Sequence, residues 1–164
     1  MKSIMITMFT CLSFSIKSSA TMPTLAEVRQ LYQSAVTDKS CCAKLINLLS
    51  DISVQSNALM LGYAGCANML EAKYVFSPFS KMDYFAKGKG MLEKAISMDS
   101  TNAELRYLRY GVQTNAPSFL GYHNQIKDDK RFLINALKNI SDTYLEQSIV
   151  AVLKKNDYVT KEEK

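Results

Sequence analysis

Arg106, Arg109, Tyr110 and Gln113 lie within eight residues of one another in a segment that reads as a helix. At about 100° per residue they fan across one continuous side, next to an apolar line of Leu105, Leu108 and Val112. Arginine offers a planar charged fork, and tyrosine offers flat contact at low entropic cost. That chemistry suits recognition of an acidic peptide or protein surface more than bond making. The alternative is that Arg109 pairs inside the fold, with Glu71, Asp83 or Asp99, and that Tyr110 packs. Tyr63 and Tyr74 extend the same candidate surface. A second candidate is the loop PSFLGYHNQ, in which Phe119, Tyr122 and His123 either cover a pocket for a small ligand or close one end of the core.

Material for catalysis is sparse. His123 is the sole histidine, so a histidine triad, a multi-histidine metal centre and a zinc helix all lack partners. Gly88, Gly90 and Gly111 follow no strand and form no phosphate loop. The expectation is a non-enzymatic protein with no cofactor and no metal. Of Cys41, Cys42 and Cys66, Cys42 and Cys66 are read as small buried hydrophobes or, in an oxidising compartment, Cys66 forms a disulfide with Cys41 or Cys42. Asn139, Ile140 and Ser141 form a sequon, a pattern that also arises by chance.

Residues 1–20 read as a signal peptide. Lys2 supplies the positive start, SIMITMFTCLSFSI the apolar run, and Ser18 and Ala20 the small residues before a cut at Thr21. The expected mature chain spans 21–164 as one helical domain, exported to the periplasm or secreted, with no transmembrane segment after cleavage. Cleavage removes Lys2 and Lys17, which takes the formal charge from +5 to +3. Such a balance, with its basic residues scattered, argues against nucleic acid.

The elements that would position these residues are helices. Thr24 and Asp38 are placed to cap two short ones, through Ala35 and Leu49. A longer helix runs from Asn57 to Tyr74, with Gly62 and Gly65 on one flank. Glycine inside a helix costs about 1 kcal/mol relative to alanine, so this pair predicts a neighbouring helix too close for side chains. Gly88 repeats the device in the next helix, after the Pro78 break and a cap at Ser80. The turn MDSTN then leads into the helix that carries the arginines, which Pro117 closes. Asp128 or Asp129 would cap the next helix and Asp142 the last. About seven helices and no strand are expected.

Residues 88–102 resemble the second half of a tetratricopeptide repeat. Gly88, Leu92 and Ala95 fall at that family's small, large and alanine positions, and Met98, Asp99, Ser100, Thr101 and Asn102 at its turn. Tyr107 and Gly111 lie near its aromatic and glycine positions, and LMLGY at 59–63 is similar to a first-helix core. Ser100 stands where the family has proline, and the gap from Tyr74 to Lys81 is longer than its turn. The texture also resembles small exported helical proteins of the Bacteroidota. The resemblance implies an all-α fold, with antiparallel hairpins stacked as a short right-handed array. It implies a scaffold that binds a protein or peptide in the periplasm or cell envelope. A small-ligand carrier and a purely structural envelope component are the alternatives.

Overall fold

The computed structural model describes residues 23–52 and 57–162, with side chains through Asn156. The expected signal peptide lies outside the described residues. Six of the seven α-helices begin where a short polar side chain satisfies free amide groups. Thr24 accepts from the Glu27 amide to start α1 (Leu25–Ala35), and Asp38 accepts from the Ser40 and Cys41 amides to start α2 (Lys39–Leu48). Asn57 and Asn102 do the same for α3 (Ala58–Tyr74) and α5 (Ala103–Asn115). Asp142 accepts from the Leu145 amide at the start of α7 (Thr143–Glu162).

Two caps differ from expectation. Ser77, not Ser80, caps α4 (Pro78–Met98), because Pro78 needs no hydrogen-bond partner and has the φ of a first helical residue. In α6 (Ile126–Ala136), Asp128 and Asp129 sit inside the first turn and Gln125 holds the cap position without a side-chain bond. Seven α-helices and one 3-10 turn (Ser118–Leu120) make up the described residues, with no strand among them. The all-α expectation of about seven helices holds.

Successive helices pair as α1/α2, α3/α4 and α5/α6, while α1, α3, α5 and α7 touch in that order as a row. Short turns make the α1/α2 and α3/α4 pairs antiparallel, whereas a longer loop with a 3-10 turn joins α5 to α6. Every residue from Leu61 to Met69 is buried, with the Asn68 amide bonded back to the Ala64 carbonyl, so α3 is enclosed on all sides. Its closest neighbour is α4. A Cβ on Gly65 would lie 2.7 Å from the Gly88 carbonyl oxygen and 2.8 Å from the Leu92 nitrogen. The glycines therefore mark the close approach that their spacing predicts. The main core packs α1–α5, and a smaller one under α5, α6 and α7 holds Tyr110, Leu133, Leu145, Ile149 and Leu153. Tyr107 packs against both.

Candidate functional site

Because α5 lies between α3 and α4 on one side and α6 and α7 on the other, its polar residues meet protein rather than water. Arg109 is 5% exposed, Tyr110 1% and Gln113 0%. The candidate binding stripe is therefore turned into the fold, and the alternative of internal pairing and packing describes Arg109 and Tyr110. Arg109 donates to both oxygens of buried Asp129, from Nε at 2.7 Å and Nη2 at 2.8 Å, and to Glu93 at 2.9 Å. Burial works against the guanidinium charge, and Asp129 and Glu93 together more than offset it, so its pKa is raised. Arg109 does pair inside the fold, with partners other than Glu71, Asp83 and Asp99.

Arg106 is half-buried beside it. It donates to Asp129 at 3.1 Å and to the Ser100 carbonyl at 3.2 and 3.1 Å, and its guanidinium lies over the Phe132 ring. Gln113 donates to Gln125 at 2.8 Å, and its own Oε1 has no protein partner. Tyr110 packs in the second core and Thr114 Oγ1 donates to its carbonyl.

A second network occupies the row of odd-numbered helices. Glu104 on α5 accepts from Arg29 Nε at 2.7 Å and Nη2 at 2.6 Å, and from the Tyr63 hydroxyl at 2.5 Å. Arg29 also reaches Asp142 at 2.8 Å and lies over the Tyr144 ring. One carboxylate thus ties α1, α3 and α5, and Arg29 extends the tie to α7. The hydrogen bond with Glu104 holds Arg29 more firmly protonated than usual. Burial, then the Glu104 charge, raises the Tyr63 phenol well above its ordinary range. The amide of Leu145, then Arg29, lowers the carboxyl of Asp142. Tyr63 is therefore a buried donor, its ring edge-on to Tyr32. Tyr74 donates to the Ala35 carbonyl at 2.8 Å.

The 117–123 loop folds onto α4. Tyr122 is buried, its hydroxyl donates to Glu93 and its ring packs edge-on against Phe85. Its phenol pKa is raised by burial and by Glu93. Tyr122 fills the space under the loop where a ligand pocket was the alternative. His123 Nε2 lies 3.0 Å from the Ala116 carbonyl oxygen, and Phe119 is 80% exposed. The structure thus separates Phe119 from Tyr122 and His123.

Cys41, Cys42 and Cys66 are free thiols, so the disulfide alternative is not met, and Cys42 and Cys66 are the small buried residues of the other reading. Cys42 Sγ faces the Ala67 carbonyl and Glu71, and Cys66 is enclosed in the core, so each thiol has its own surroundings. Among the described residues, no three of His, Cys, Asp and Glu converge as metal ligands, and no helix is long and apolar enough to cross a membrane.

Sequence reasoning missed Arg29, Glu93, Glu104 and Asp129 as the partners of the α5 polar residues. Each is an ordinary charge on its own helix, and only packing joins them. It also missed two surface features. The first is an open groove of 520 Å³ between α1 and α2, with Leu31 and Leu48 among its apolar lining and Glu27, Gln30, Ser34 and Lys44 among its polar lining. The second is an exposed apolar corner at Phe76 and Phe79, beside Pro78. A phenylalanine on either side of a cap, with no helical partner for either, was the available signal. No family model, curated protein or solved structure matches this chain.

Proposed function

We propose that this protein is a non-enzymatic scaffold that binds a protein or peptide at the cell envelope, in a tetratricopeptide-like array. The pairing of successive helices and the row α1, α3, α5, α7 support such an array. The observation that carries the binding reading is the α1/α2 groove. It combines apolar floor positions Leu31 and Leu48 with polar groups that can fix a backbone or a charge. The charged groups of α5 are engaged within the fold, so the groove replaces the Arg106–Gln113 stripe as the candidate surface. Export to the periplasm or beyond remains part of the proposal, and a mature N-terminus at Thr21 is its direct test.

The binding test places a photocrosslinker at Ser34 in the groove and, as a control, at Ile134 on α6. A single protein captured from Ser34, lost on Leu31→Glu with helicity retained, supports the reading. Equal capture from both positions, or none from Ser34, overturns it.

A further inference from the structure

Exposed apolar side chains gather at one end of the helix stack. Phe76 is 99% exposed, Phe79 84% and Met82 51%, all at the α3–α4 corner. The α1–α2 turn lies beside them. Lys73 donates to the Val36 carbonyl at 2.8 Å, and Val36 is itself exposed. Phe119 belongs to the same half of the molecule, because α5 runs back along α4 and its following loop packs on Phe85 through Tyr122. Met98 and Ile134, the other exposed large apolar side chains among the described residues, lie on the end of α4 and on α6.

A solvated phenylalanine contributes little to the fold, and three large apolar residues exposed at one corner mark an interaction site. The corner projects, since a side chain that is 99% exposed lines no groove. A projecting tip needs a partner that yields around it. Lysines lie close along the chain on both sides of the tip and at the start of α2. Lys39, Lys73 and Lys87 are exposed and Lys81 half-buried, against the carboxylates of Asp38 and Asp83. Asp38 is already engaged by the amides that start α2. A second copy of the chain would bring like charges together. A bilayer with anionic headgroups meets both demands, because the aromatic rings enter the acyl boundary while lysines stay at the phosphates.

We propose that the Phe76–Phe79–Met82 corner docks the protein on an anionic phospholipid surface. Phe76 and Phe79 insert, and Lys81 and Lys87 contact the headgroups. This surface is separate from the α1/α2 groove, and it can exist whether or not that groove binds a peptide.

The chain contains no tryptophan, so Phe79→Trp in the full-length protein adds a single indole that reports on this corner alone. The probes are vesicles of phosphatidylcholine, with and without phosphatidylglycerol. The expected result is a blue shift and quenching by brominated acyl chains on the mixed vesicles, both lost at high salt. Phe76→Ser with Phe79→Ser lowers vesicle partitioning at least about tenfold with unchanged circular dichroism. Lys81→Gln and Lys87→Gln lower it about fivefold each. An indole that stays in water while the protein sediments with vesicles shows contact through another segment and overturns the proposal. Insertion into pure phosphatidylcholine with no gain from phosphatidylglycerol overturns its headgroup half. Absence of vesicle binding, together with crosslinking of one protein from position 79, overturns it as well and assigns the corner to a protein pocket instead.

Discussion

Gly65 and Gly88 meet backbone to backbone where α3 packs on α4. A Cβ on Gly88 would press on the Gly65 carbonyl and lie 2.8 Å from the Met69 nitrogen. Backbone cannot turn aside as a side-chain tip can, so the two helices must separate to admit a methyl group. Gly88→Ala is expected to destabilise by about 1–3 kcal/mol, despite the gain in helix propensity. A methyl group on Gly90 or Gly111 would meet nothing within 4 Å, so alanine there stabilises by about 0.4–1 kcal/mol. Urea denaturation of the three variants measures both signs, and a stabilised Gly88→Ala would refute the close packing.

Asp129 holds the guanidinium of Arg109 with both oxygens in a site where the carboxylate is fully buried. Removing it leaves a buried cation with Glu93 as its remaining partner. Asp129→Ala therefore costs about 3–5 kcal/mol. The double replacement Arg109→Met with Asp129→Leu recovers much of this, because it removes both buried charges together. A double-mutant cycle by chemical denaturation reads the coupling, and additive losses would show that the pair is not coupled.

The Tyr63 hydroxyl donates to Glu104, which Arg29 also engages through two bonds. Tyr63→Phe removes one donor and leaves the carboxylate partnered, so the expected loss is about 1–2 kcal/mol. Glu104→Ala strips the shared acceptor from Arg29 and Tyr63 at once and costs more than Tyr63→Phe and Arg29→Met do on average. Equal losses for all three would place the stabilisation in packing alone.

Burial pushes the Cys66 thiol up to about 12, and burial with Glu71 does the same for Cys42. An unfolded thiol ionises near 9.0. The folded chain keeps protons that the unfolded chain has released, so this contribution is complete below pH 9.0 and declines as pH rises towards 12. Cys66 alone lowers stability by about 1.4 kcal/mol per pH unit across that window. Denaturation in reductant at rising pH measures the slope, and Cys66→Ala lessens it by that share while Cys42 keeps its own. A slope unchanged in that variant would assign the decline to other groups, such as the raised phenols of Tyr63, Tyr107 and Tyr122.

Helices and their starts follow from local chemistry. Thr24, Asp38 and Asn102 accept amide hydrogen bonds within their own turn, and such contacts lie within three residues in sequence. The glycines of α3 and α4 were legible too, since a residue that weakens a helix must gain something from a close neighbour. The character of α5 was not legible. Its pattern distinguishes Leu105 and Leu108 from Arg106 and Arg109, but periodicity does not reveal whether a polar face meets water or another helix. That was decided by Asp129 and Glu93, which lie 20 and 16 residues away along the chain. The free thiols and the exposed corner at Phe76 and Phe79 have the same origin. Distance and solvent access depend on which elements pack together, and the tertiary structure alone sets that.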